Sequence, residues 1–268
     1  MFQPVIKWSG SKRTQASKLV GLFPKFKTYY EPFLGGGSVL YPLNSKLDSA
    51  ICGDICKPLI DLWILIQKNP NSLIKSYRKN WNRLQKEGYK VYYEIRNRFN
   101  ENQNPEDLFF LSRTCVNGLI RFNKDCKFNN SLHHTRKGIH PDSAAKIILE
   151  WSKLIQNSTF LNAGYEETTK TATPNDFIYL DPPYFNTKGR YFGTINYEQF
   201  KSFLEDLNNK KIKFILSYDG IRGNSSYIID LPSHLYKRHI FLESGNSSFR
   251  KVMDKKCEVV KESVYLNF

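Results

Sequence analysis

Tyr29-Tyr30-Glu31-Pro32-Phe33-Leu34-Gly35-Gly36-Gly37-Ser38 runs from a short apolar stretch directly into three glycines. Such a turn lets backbone N–H groups and the following helix start approach a ligand closely, as ligand-binding turns in open α/β sheets do, and reads equally as a merely structural turn. A second strand, Ala50-Ile51-Cys52-Gly53-Asp54, ends on an acid. Lys57 to Gln67 then places Leu59, Ile60, Leu62, Trp63, Leu65 and Ile66 in a buried helix. Far downstream, Phe177-Ile178-Tyr179-Leu180-Asp181 is a continuous apolar strand closed by two prolines. Tyr197, Phe200, Phe203, Leu204 and Leu207 follow at helical spacing, and Lys213-Phe214-Ile215-Leu216-Ser217-Tyr218 is another buried strand. Continuous apolar strands separated by helices predict a parallel α/β sheet covered on both faces.

Residues 68–165 lack that alternation and read as an insertion. Leu73, Ile74, Tyr77, Trp81 and Leu84 mark one helix stripe, Asp107 to Ile120 predicts another helix, and Phe122-Asn123-Lys124-Asp125-Cys126-Lys127-Phe128 predicts a β-hairpin. The expected organisation is a discontinuous core, 1–67 and 166–268, interrupted by a mostly helical insert at 68–165.

The 268 residues carry 40 Lys+Arg against 25 Asp+Glu, a net charge of +15 that suits a protein meeting polyanions. No acid precedes Glu31, and residues 68–140 hold 15 Lys+Arg against six acids. Tyr77, Trp81, Tyr89, Tyr92, Tyr93, Phe99 and Phe122 are interleaved there, a mixture that suits phosphates and unstacked bases, although aromatics at helical spacing more often pack inward. With 40% hydrophobic residues and no apolar run of membrane-spanning length, disorder and a membrane span are both excluded as expectations. The N-terminus lacks the pattern of a signal peptide, so a cytoplasmic protein is expected. The five cysteines, 52, 56, 115, 126 and 257, read as reduced thiols. His133, His134 and His140 with Cys115 and Cys126 fit no common zinc spacing, so no metal is expected.

Asp181-Pro182-Pro183-Tyr184 carries the chemistry most directly. An exocyclic amine on a nucleobase is a poor nucleophile because its lone pair is delocalised into the ring. A carboxylate and a carbonyl gripping its two hydrogens push it toward a reactive form. Prolines hold such a carbonyl without a competing N–H, and Tyr184 offers a ring for a base that has left the duplex. The alternative is a rigid turn after a strand. Asp54 has two readings as well, an acceptor for a ribose or a cap on the next helix.

These residues together resemble the amino DNA methyltransferases, specifically the D12-class adenine-N6 enzymes that include the bacterial and phage Dam methylases. Lys7-Trp8-Ser9-Gly10-Ser11-Lys12 resembles that family's KWxGxK box, Glu31 to Val39 its cofactor loop, Asp181 to Tyr184 its DPPY motif, and Glu262 to Phe268 its closing strand. The resemblance implies a Rossmann-like S-adenosyl-L-methionine-dependent core with a target-recognition insert. It implies that Trp8, Lys12, Glu31, Pro32, Phe33, Gly35, Gly36, Gly37, Asp54 and Asp181 surround the cofactor. Asp181, Pro182, Pro183 and Tyr184 would be catalytic. Lys7 would approach a guanine edge, and Arg113, Asn117, Leu119, Arg121 and Asn123 would meet DNA. Val116 departs from the aromatic often found there, and 129–136 also departs from the Dam pattern. Gly245 to Arg250 resembles a polar turn near the target base, and reads equally as a solvent hairpin turn.

The expected activity is methyl transfer from S-adenosyl-L-methionine to N6 of a flipped adenine in double-stranded DNA, in a restriction-modification or Dam-like role, by a monomer. The rival readings are cytosine-N4 transfer on the same fold, a non-catalytic DNA-binding protein that keeps the fold, and action on RNA.

Overall fold

The computed structural model describes residues 2–43, 47–183, 195–222, 225–229, 231–246 and 259–268. Strand β1 (Tyr29–Glu31) is buried along its length and pairs in parallel with β2 (Ala50–Gly53) on one side and with β4 (Phe177–Leu180) on the other. Beyond β2 lies β3 (Ser158–Leu161) and beyond β4 lies β5 (Lys213–Arg222), both parallel. The sheet closes with β8 (Val259–Leu266) and β7 (Arg238–Asn246), each antiparallel to its neighbour, giving the order β3-β2-β1-β4-β5-β8-β7. The two-residue β6 (Ser225–Ser226) pairs with β5 off this path.

The chain leaves β1 toward β2 and returns on the opposite side of β1 as β4. A crevice opens at the carboxyl ends of strands that flank such a reversal. Glu31–Ser38 and Asp181–Pro183 therefore meet there, although they are remote in sequence.

Alternation along the strands feeds two apolar layers. Tyr29, Phe177, Tyr179 and Ile215 belong to one cluster, and Tyr30, Ile178, Leu180, Phe214 and Leu216 to the other. Each fully buried apolar side chain of this size contributes roughly 1.5–3 kcal/mol relative to exposure. The helices that cover the sheet and build the insert are α1 (Ala16–Val20), α2 (Leu40–Leu43), α3 (Lys57–Lys68), α4 (Pro70–Glu87), α5 (Tyr89–Asn102), α6 (Pro105–Thr114), α7 (Pro141–Leu154), α8 (Tyr165–Thr168) and α9 (Tyr197–Asn209). Proline in the first turn and a polar N-cap recur at their starts. Asn104 accepts from the N–H groups of Glu106 and Asp107 ahead of α6, and Asn196 accepts from Gln199 N–H ahead of α9.

The expected α/β sheet with a mostly helical insert is present, with three differences in detail. The helix expected over Asp107–Ile120 stops at Thr114, because Cys115 turns to extended backbone at φ −70 and ψ 163; a separate short turn follows, with Asn117 and Gly118 in left-handed backbone at φ 56 and 64. The expected hairpin is reduced to one antiparallel bridge, Phe122 to Phe128, and a second bridge outside the expected segment joins Cys115 to Leu132. Ser158–Leu161, which the sequence reading assigns to the insert, is a strand of the sheet; its mixed polar and apolar residues do not announce a buried parallel strand.

The insert has no separate core. Leu73, Tyr77, Phe109 and Phe110 share one apolar cluster with Trp63, Trp151 and Tyr29, so α4 and α6 are rooted against the layer that supports the sheet.

Candidate active site

The glycine turn after β1 is shaped by what lies against it. At Gly35, with φ +49, a Cβ would stand 2.8 Å from Trp8 Cδ1, so the turn packs directly on the Trp8 ring. Its carbonyl accepts from Trp63 Nε1 at 3.0 Å and its N–H donates to Asp54 Oδ2 at 3.1 Å. Asp54 Oδ1 accepts from Cys56 N–H at 2.9 Å ahead of α3. Asp54 therefore ties the turn to the helix entry and keeps lone pairs on both oxygens for a further donor. Burial pushes its carboxyl up to about 6, against which the two N–H donors act.

Across the crevice stands Asp181, one residue past β4. Lys12 Nζ lies 2.7 Å from its Oδ1 and 3.6 Å from Glu262 Oε1 on β8. The Lys12 side chain is 4% exposed. Burial raises the Asp181 carboxyl to about 6, Lys12 pulls it down, and Glu262 raises it further. On the same strand Tyr179 donates to Ser217 Oγ at 2.9 Å, and on β1 Tyr29 donates to Glu31 Oε2 at 2.9 Å. Glu31 is buried and its carboxyl rises to about 8, so it is largely protonated at neutral pH.

One cleft gathers these groups. It is lined by Trp8, Lys12, Glu31, Pro32, Phe33, Gly35, Gly36, Asp54, Asp181, Pro182 and Pro183, with Ile55, Tyr165, Ile195, Asn196 and Gln199 among the rest of its wall. At Gly37 a Cβ would stand 2.9 Å from Trp63 Cζ2, so the missing side chain lets the turn pack against α3. Tyr184 falls outside the described residues, as does the turn from Ser247 to Arg250.

Ile55, Tyr165, Gln199 and Glu262 were not singled out as site residues in the sequence. No motif marks Ile55, Tyr165 or Gln199, and Glu262 belongs to the closing-strand resemblance without a site role; all four are placed by sheet order and loop position. Tyr165 backs Phe33 at 5.7 Å between ring centroids, an aromatic wall that neither residue predicts alone.

The residues expected to meet DNA divide. Asn117, Leu119 and Arg121 are exposed, Leu119 at 40%, on the segment after α6. Lys7 is partly buried beside Gly118, where an added Cβ would stand 2.4 Å from Lys7 Cδ. Burial lowers the Lys7 ammonium, and the nearby Arg113 and Arg136 add to that. Arg113, expected to meet DNA, lies inside the protein: it is 7% exposed and donates to the carbonyls of Pro4 and Val5, the latter at 2.6 Å. A guanidinium held that way inside the protein is not available to a phosphate. Asn123 is exposed, but its Oδ1 accepts from Asp125 and Lys127 N–H groups at 3.0 and 2.9 Å, which shapes the turn it begins. Among the described residues no cluster of three His, Cys, Asp or Glu is arranged for a metal, and no helix is long and apolar enough to cross a membrane.

Residues 8–249 match the family described as D12 class N6 adenine-specific DNA methyltransferase. The chain is 30% identical over 264 residues to the type II methyltransferase M.MjaIII of Methanocaldococcus jannaschii, covering 88% of each protein. It is 32% identical over 183 residues to a DNA adenine methylase of Vibrio cholerae, covering 67% of this chain and 64% of that one. A DNA adenine methylase of Escherichia coli K12 matches at 29% over the same length and shares. With the match extending across the glycine turn, the insert and Asp181, the chain belongs to the D12 class N6 adenine-specific DNA methyltransferases.

Proposed function

We propose that the cleft holds S-adenosyl-L-methionine against the Gly35–Gly36 turn and presents Asp181 and Pro182 to the amino group of an adenine turned out of double-stranded DNA. The observation that carries this reading is the convergence of the glycine turn, Asp54, Lys12 and Asp181 on one crevice at the β1/β4 reversal.

The residues present fit the cofactor. Gly35 leaves bare backbone where a Cβ would collide with Trp8, Asp54 retains acceptor capacity at the end of β2, and Phe33, Ile55 and Tyr165 supply apolar wall. Trp8, Phe33, Gly35, Gly36 and Asp54 would hold it. Bound there, it supplies an electrophilic methyl group on a sulfonium.

The protein's share is orientation and polarisation. The Asp181 carboxylate and the Pro182 carbonyl accept the two N–H groups of the exocyclic amine and draw the nitrogen toward a tetrahedral, nucleophilic form. Asp181 must be ionised to do this well, and the Lys12 ammonium favours that form against burial. Transfer is direct, with no cysteine nucleophile, so positioning and electrostatics carry the acceleration. Unpairing the base costs a few kcal/mol, which contacts of the basic insert offset. A Dam-like or restriction-modification role follows from the family.

The test is transfer of label from S-adenosyl-L-methionine to unmethylated genomic DNA, followed by nucleoside analysis and mapping of modified positions. N6-methyladenine at one short motif is the expected product. N4-methylcytosine, or no product from protein that binds the cofactor, would overturn the reading.

A further inference from the structure

Resting on the assignment of Asp181 as the amine acceptor, we infer that Glu262, on the last strand of the sheet, is a positioning residue for Asp181 that acts through Lys12. Val264 and Leu266 of β8 pack in the same apolar layer as Phe177 and Tyr179 of β4. Strand alternation therefore sends Glu262 and Asp181 to the same face of the sheet, with β5 between their strands. Lys12, from the segment before α1, fills the gap, 2.7 Å from Asp181 Oδ1 and 3.6 Å from Glu262 Oε1. All three side chains are largely withdrawn from solvent, at 4% exposure for Lys12, 19% for Asp181 and 15% for Glu262.

The groups around Asp181 come from four directions. Tyr179 on its own strand is engaged with Ser217 of β5. Glu31 on β1 accepts from Tyr29, and its rise to about 8 removes most of its charge at neutral pH. Lys12 and Glu262 are then the charged neighbours of Asp181 among the described residues. An ammonium bound to Asp181 alone would withdraw charge from the acceptor oxygens and weaken their hold on an amine. Sharing it with Glu262 keeps Lys12 at Oδ1, moderates its pull, and leaves Oδ2 for the substrate.

The test is Glu262→Gln in the full chain, with Glu262→Asp and Asp181→Ala alongside. The Asp181 carboxyl carbon is titrated by NMR in cofactor-free protein, and single-turnover methyl transfer to genomic DNA is followed against pH. Removing the Glu262 charge should lower the Asp181 titration and move the acid limb of the rate profile down by about one pH unit. Glu262→Asp, which withdraws the carboxylate by one methylene, should shift both in the same direction by less, and it serves where the Gln variant fails to fold. A titration and limb unmoved in the folded variants overturns the inference. Transfer surviving in Asp181→Ala overturns the reading beneath it; an inactive Asp181→Ala with an unmoved Glu262→Gln limb overturns the inference alone.

Discussion

Lys12 and Asp181 are separated by 169 positions in the chain and by 2.7 Å in the folded protein. The sequence reading assigns Lys12 to the cofactor; in the fold Lys12 lines the same cleft as Trp8 and the glycine turn and is paired there with Asp181. The basic side chain thereby bears on the ionisation of Asp181.

Methyl transfer should therefore fall as pH drops through about 6. The Asp181 carboxyl is raised from its ordinary value to about 6, chiefly by burial, and its protonated form offers the amine a poorer acceptor. Single-turnover rates between pH 5 and 8 measure this, and a flat profile would count against the assigned role. Asp181→Asn should lose at least about 100-fold in rate, in the range seen when one preorganised polar group is removed, while calorimetry shows cofactor binding retained.

Glu31 should make the protein less stable as pH rises. Its folded carboxyl lies near 8, above the value of an exposed glutamate, so the unfolded chain releases the proton first. Stability associated with the protonated form is fully present below the unfolded pKa of about 4.3 and declines as pH climbs toward 8. Urea melts of Glu31→Gln and the parent chain should converge at low pH and separate at high pH, with the variant gaining on the parent by on the order of a few kcal/mol. A constant difference across that window would reject the linkage.

Arg113→Met should cost stability and spare the electrostatics of DNA binding. The guanidinium bonds the carbonyls of Pro4 and Val5 and is lowered to about 10 by burial. Losing those charge-assisted bonds should cost about 2–3 kcal/mol in a denaturant melt. The slope of log affinity against log salt should stay within error of the parent, because no phosphate contact is lost. A slope reduced by about one would restore Arg113 to the DNA interface.

Gly118→Ala should disturb recognition more than cofactor binding. The added Cβ would stand 2.4 Å from Lys7 Cδ at a backbone φ of +64, so Lys7 or the turn must move. With Lys7 expected at a base edge, mapping of methylated sites should show relaxed preference at one position, with cofactor affinity unchanged; an unaltered site preference would separate Lys7 from base reading.

Much of the layout is legible along the chain. Apolar runs such as Phe177-Ile178-Tyr179-Leu180 and Ala50-Ile51-Cys52 appear as strands at those positions, since a strand buried on both faces needs an unbroken apolar sequence. Helix α3 follows from its apolar pattern and early proline, and the glycine turn from its composition. Four-residue β3 is not legible because its Ser158 and Thr159 break that pattern, and the end of α6 is not because the extended backbone at Cys115 has no glycine or proline to mark it.

What the amino-acid order determined by itself is the set of local pieces: strands, helices, the glycine turn and the Asp181-Pro182-Pro183-Tyr184 tetrad, each a matter of side-chain period or restricted φ over a few residues. Only the tertiary structure decided which pieces meet. The reversal of strand order between β1 and β4 brings Asp54, Lys12 and Asp181 to one crevice, and the antiparallel return of β8 adds Glu262. Burial then sets their ionisation, because desolvation and the distance between charges depend on the packed neighbours and not on separation along the chain.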